Sequence, residues 1–159
     1  MTEEKTTGLQ PRGLYFEEFA VGDEVISPGR TVTEADIVAF AALTGDYNPL
    51  HCDAEYAKDT IFGERIAHGL LGLSIASGQA DRLGFVEGTV EAFMGLDWKF
   101  RGPIKIGDTI HTEAKVARKK EMQRMGGGIV VLDVAVVNQR GETVQKGQWT
   151  VLIKGKPLP

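Results

Sequence analysis

A carboxylate, an amide and an imidazole fall within six residues around a proline in the run Thr44-Gly45-Asp46-Tyr47-Asn48-Pro49-Leu50-His51. A carboxylate can take a proton, an imidazole can take or give one near neutral pH, and an amide can orient either group or a water between them. Downstream, Ala67-His68-Gly69 stands at the head of an apolar run. A glycine there leaves an unpaired N–H at the positive end of a helix, a donor suited to an oxyanion forming on a carbonyl. The chemistry open to such a set is proton transfer around a carbonyl compound. The same residue types also build plain structure: Asp, Asn and Pro make turns, a lone histidine is commonly packed or on the surface, and Gly69 also serves close packing. Residue types and spacing leave both readings open.

The elements around these residues must bring them together. In one helix Asp46 and His51 would lie on different faces, and Pro49 removes a donor and pushes Asn48 out of helical angles, so the segment reads as a loop without regular structure. Gly45 is placed to end the preceding helix in the left-handed conformation, and the Asn48-Pro49 step could turn His51 back beside Asp46. That preceding helix reads Glu34 to Thr44, capped by Thr33, with Glu34 and Asp36 in its first turn and a stripe of Ile37, Phe40, Ala41 and Thr44 widened by Val38. Asp53 caps a short helix over Ala54 to Lys58. From Ile66, Leu70, Leu71, Leu73 and Ile75 alternate with Gly72, Ala76, Ser77, Gly78 and Ala80, which predicts a helix buried on most sides and ending near Leu83-Gly84.

The rest reads as strands. Val25-Ile26 and Arg30-Val32 form a first one broken at Pro28-Gly29, and Glu91–Phe100, Ile104–Gln123, Gly128–Gln139 and Glu142–Lys154 follow between glycine-containing turns. Ile110, Thr112, Ala114 and Val116 alternate with His111, Glu113 and Lys115, the mark of a sheet with one dry and one wet face; His111 is thereby a surface residue. Strand, helices, then a run of antiparallel strands is α+β order. At 159 residues the chain is one domain by length, here 15–159 after a flexible segment 1–14. A net charge of −4 argues against a nucleic-acid partner. No apolar run reaches the roughly 20 residues that span a bilayer. The opening residues lack a secretion signal, and the single cysteine, Cys52, has no partner within the chain, so a cytoplasmic location is expected. No spaced ligand set completes a metal site around Cys52 and His51.

The run Phe40-Ala-Ala-Leu-Thr-Gly-Asp46-Tyr-Asn48-Pro49-Leu-His51, five residues, then Ala57, followed by His68-Gly69 and Ser77, resembles the signature of the MaoC-like, (R)-specific enoyl-CoA hydratases. The resemblance extends over about Tyr15 to Ile153, with Phe40 to Ser77 its diagnostic part. It implies a single hot-dog fold, an antiparallel sheet curled around a long central helix, and a homodimer joined through an edge strand. It implies reversible addition of water to a trans-2-enoyl thioester of CoA or acyl carrier protein, giving the (R)-3-hydroxyacyl thioester, with no cofactor beyond the thioester itself. Asp46 is then the general base, His51 a partner on the same water, Gly69 the oxyanion donor, and Asn48 and Ser77 substrate-binding residues; His68 is expected to be structural. A solvated aspartate is a weak base, so its surroundings must be sparsely hydrated. Lys99, Arg101 and Lys105 are candidates for the CoA phosphates, and Phe93, Met94, Leu96 and Trp98 for the acyl pocket. The competing readings are a hot-dog acyl-CoA thioesterase and a non-catalytic acyl-binding subunit.

Overall fold

The chain after its first residues commits early to a sheet edge. Glu24–Ile26 (β1) and Arg30–Thr31 (β2) both pair antiparallel with Thr109–Met122 (β4), Val25 opposite Ala114 and Arg30 opposite Ile110. The structure, a computed structural model, describes residues 12–159. Most of the segment 1–14 expected to be flexible lies outside the described residues. Gly13 and Leu14 donate to the carbonyls of Gly84 and Phe85 at 2.8 Å each.

Three helices carry the chain to the centre. Glu34–Thr44 (α1) is capped at both ends as expected. Thr33 Oγ1 accepts from the Asp36 N–H, Asp36 Oδ2 accepts from the Thr33 N–H, and Gly45 closes the helix at φ 77°. Pro49–Cys52 (α2) corrects the loop reading of this stretch. Pro49 sits at the first helical position, where a missing N–H costs nothing, and Asn48 caps the turn by accepting from the Leu50 N–H at 3.0 Å. Ala54–Lys58 (α3) has the expected bounds, with Asp53 accepting from Tyr56 N–H.

Gly69–Arg82 (α4) is the central helix, and the sheet curls around it. Val90–Phe100 (β3), β4, Gly127–Asn138 (β5) and Thr143–Lys154 (β6) join β1 and β2 in a six-stranded antiparallel sheet of order β1-β4-β5-β6-β3, with β2 beside β1 on β4. Leu71, Ile75, Ala76 and Ala80 of α4 share one core with Ile110, Ala114, Val116, Leu132, Val134, Trp149 and Val151 of the sheet. A buried polar stitch holds helix to sheet: Gln79 donates to the Ile110 carbonyl at 2.8 Å and accepts from Thr112 Oγ1 at 2.8 Å. The third predicted strand begins five residues later than its first apolar residue. Asp108 accepts from the Lys105 N–H and turns Ile104–Asp108 before β4 starts. Among the described residues no helix is long and apolar enough to cross a membrane.

Candidate active site

The kinked segment and the head of α4 meet. One donor atom each from Asp46, His51 and His68 lie within 4.8 Å of one another. Asp46 follows the left-handed Gly45; its N–H donates to Thr44 Oγ1 and its Oδ1 accepts from the Asn48 N–H, both at 3.2 Å. The short helix α2 then swings His51 inward until the ring is buried, and Nδ1 lies 2.7 Å from the Ile66 carbonyl. A carbonyl only accepts, so Nδ1 carries the proton in the neutral ring and Nε2 presents a bare lone pair. Arg65 Nε donates to the His51 carbonyl at 2.7 Å, and Arg65 also pairs with Glu34 of α1, which ties loop, helix and strap together.

His51 and Gly69 share a cleft of about 530 Å³ whose walls include Leu50, Phe62, Leu70, Phe100 and Gln145. The Gly69 N–H has no hydrogen-bond partner among the described residues. Its α-carbon lies under Phe100, where an added Cβ would stand 2.7 Å from the ring. Gln145 is buried in the cleft wall, donating to the Gly69 carbonyl at 3.0 Å and accepting from Trp98 Nε1 at 3.0 Å. Gly72 is needed here, since a Cβ would lie 2.3 Å from Gln145 Nε2.

His68, expected to be structural, is the residue that joins the set. Its ring stacks on His51 with centroids 3.9 Å apart and against Phe40 of α1 at 4.9 Å. Gln145 is a site residue outside the motif; the signal for it in the sequence is that it shares the inward parity of Trp149, Val151 and Ile153 on β6, where a polar residue marks a special position. Asn48 belongs to the site through its cap on α2 and lies exposed beside Asp46. Ser77 is not brought to the cleft. It lines a separate hollow of about 310 Å³ with Phe93 of β3 and Trp149 and Val151 of β6. Of the basic candidates only Arg101 borders the cleft; Lys105 pairs with Glu64 at 2.8 Å, and Lys99 lines a groove on another part of the sheet. Trp98 holds Gln145 instead of lining the pocket, and Cys52 is exposed outside the cleft lining.

Three clustered donors raise the question of a cation. His51 Nδ1 and His68 Nε2 are committed to main-chain carbonyls, and the two rings are tilted by only 29°. Lone pairs in two stacked planes run side by side and do not converge at the roughly 2 Å of a metal–nitrogen bond. The arrangement suits proton transfer.

Comparisons with known proteins bear on the fold and the family. Protein MaoC of Klebsiella aerogenes is 42% identical over 115 residues, 70% of this chain and 33% of that longer protein, so this chain spans about a third of that relative's length. An (R)-specific enoyl-CoA hydratase of Rhodospirillum rubrum is 30% identical over 89% of this chain and 93% of its own length. A solved structure described as a monoamine oxidase regulatory protein, from Archaeoglobus fulgidus, superposes with a TM-score of 0.87 at 42% identity, covering 94% of this chain and 99% of that one. In fold alone, a Mycobacterium tuberculosis protein with a double hot-dog fold matches at a TM-score of 0.79 and 20% identity, and the sheet wrapped on α4 is the hot-dog arrangement. Since the model of the MaoC-like domain matches residues 18–138, a span that includes Asp46, His51, His68 and Gly69, this chain belongs to the MaoC-like domain family.

Proposed function

We propose that this protein is a hydro-lyase that adds water reversibly to a trans-2-enoyl thioester, giving the (R)-3-hydroxyacyl thioester. The observation that carries the reading is that Asp46 stands beside His51, one donor atom of each within 4.8 Å, while His51, with a bare Nε2, and the free Gly69 N–H line one cleft. The Asp46 carboxylate takes a proton from water while that water's oxygen bonds to C3. The C2–C3 π pair moves toward the thioester carbonyl, whose oxygen gathers charge at the Gly69 N–H. Proton delivery to C2 through the Asp46–His51 pair restores the carboxylate. No redox cofactor is required, because water adds across C2–C3 with no net gain or loss of electrons. Curated relatives named as hydratases support the activity; the thioester handle is CoA or acyl carrier protein, and the reaction takes place in the cytoplasm.

The substrate meets a dimer in this reading. Asp46 is exposed in the single chain, so the sparse hydration its role demands must come from elsewhere. β3 is an edge strand paired only with β6, and Val90, Phe93, Met94, Leu96 and Phe100 along it are exposed. A long apolar edge is a template for pairing with a second copy. Arg101 at the cleft border is the cation assigned to the thioester's phosphates, and Ser77 contacts the acyl chain from its own hollow.

One assay tests the activity. With a trans-2-enoyl-CoA, loss of the conjugated chromophore without free thiol is expected; release of thiol identifies a thioesterase, and no change in either rejects the proposal for that substrate class. Sedimentation is expected to give a dimer, and a monomer at micromolar concentration rejects the β3 pairing.

A further inference from the structure

His68 reaches every group the proposed reaction uses, and its chemistry is more than its space requires. The ring is 2% exposed, held between Phe40 and His51, and its own residue precedes Gly69. Its Nε2 lies 2.9 Å from the main-chain carbonyl of Asp46, so Nε2 bears the proton of the neutral ring. Its Nδ1 is then a bare acceptor, enclosed and without a partner among the described residues. A phenyl ring would fill the same gap between Phe40 and His51 and leave no buried acceptor unsatisfied. What the imidazole adds is the hydrogen bond to Asp46.

That bond matters because little else holds Asp46. The residue is exposed, and its other hydrogen bonds, to Thr44 Oγ1 and from the Asn48 N–H, are both local and 3.2 Å long. His68 is the contact that ties its main chain across 22 residues to the head of α4. The face of the same ring lies on His51, whose edge is fixed by the Ile66 carbonyl.

We propose that His68 is a positioning residue: its Nε2–H sets where the Asp46 carboxylate stands, and its ring face sets the plane of His51, so that carboxylate, imidazole and Gly69 N–H keep one register. It rests on the hydration reading for its kinetic consequence and on geometry alone for its structural one.

Three measurements decide it. In the ¹⁵N-histidine NMR spectrum of the wild-type protein, His68 is expected as the Nε2–H tautomer; an Nδ1–H tautomer overturns the proposal whatever the activity. His68→Phe keeps a flat aromatic ring and removes the donor, while His68→Gln keeps a donor near Nε2 and removes the ring. With trans-2-enoyl-CoA, His68→Phe is expected to lower kcat by about 100-fold, the size of effect a misplacement near 1 Å produces, with KM changed less than about threefold. His68→Gln is expected to recover about tenfold of that loss. A His68→Phe variant with wild-type kcat, or a His68→Gln variant that falls equally far, overturns the role of the donor. Backbone order parameters over residues 45–48 are expected to drop in His68→Phe from about 0.85 toward 0.6, and no drop overturns the proposal. A wild-type protein that leaves the enoyl chromophore untouched sinks the hydration reading, while the tautomer and order parameters still decide the positioning role.

Discussion

The two halves of α4 do different work under different tolerances. Its head is enclosed by close contacts: His68 on His51 and Asp46, Gln145 on the Gly69 carbonyl, Phe100 over the Gly69 α-carbon, and no room for a methyl at Gly72. Its second half borders an apolar hollow in which Ser77 is exposed, and a Cβ at Gly78 would meet nothing within 4 Å. In the proposed reaction the head serves proton transfer, which depends on angles and distances held to fractions of an ångström, whereas receiving a hydrocarbon at the second half needs only apolar walls of about the right size. One helix thus carries a precise end and a permissive one.

The largest effect that tests this contrast is at the head. Asp46→Asn and His51→Ala are each expected to lower kcat/KM by about 10² to 10⁴ with the fold retained, as read by circular dichroism and the enoyl-thioester assay. Substantial residual hydration in either variant removes the assignment of that group.

A matched pair of glycine substitutions compares the halves directly. Gly72→Ala drives a methyl into Gln145 and Ile104 and is expected to destabilise by about 1–3 kcal/mol in urea unfolding. Gly78→Ala, open to solvent in the same helix, is expected to be neutral or to stabilise by up to about 1 kcal/mol. Equal responses would erase the difference in tolerance.

Ser77→Ala belongs to the permissive half. It is expected to change KM by no more than about threefold and to shift the preferred acyl length, leaving kcat nearly as it was. A collapse of kcat would move Ser77 into the reacting set, against its place in a separate hollow.

The smallest effect concerns the frame behind the head. Asp108 turns the chain at Lys105, which bridges to Ile66, whose carbonyl holds His51. Burial pushes the Asp108 carboxyl up, but hydrogen bonds from Gln139 and the Lys105 N–H, with the Arg140 charge, outweigh it and hold the group below the usual aspartate range. A lowered folded value means that its stabilisation is full at neutral pH and is lost as pH falls below about 4 and through that lower value. The stability gap between wild type and Asp108→Asn is therefore expected to shrink on acidification, measured by unfolding at a series of pH values. A gap independent of pH rejects this role.

Local rules make much of the molecule legible in its sequence. Thr33 and Gly45 bound α1 because capping and a left-handed stop depend on neighbouring backbone alone. The alternation over β4 gave its inner face for the same reason, as side chains point to opposite sides at each step. The rule that fails here is also local: a proline inside a run reads as a breaker, although Pro49 at a first helical position starts a turn, and that turn carries His51 inward.

The motif names Asp46, Asn48 and His51, whose types and spacing lie within one six-residue run, and Gly69 in a second segment at the head of α4. Only the tertiary structure separated Ser77 from them, brought Gln145 and Phe100 to Gly69 from distant strands, and laid the His68 ring on His51. Spacing along a chain fixes which groups are near in sequence, but ring planes, tautomers and the walls of a cavity arise from elements far apart in sequence that come together only when the sheet closes on α4.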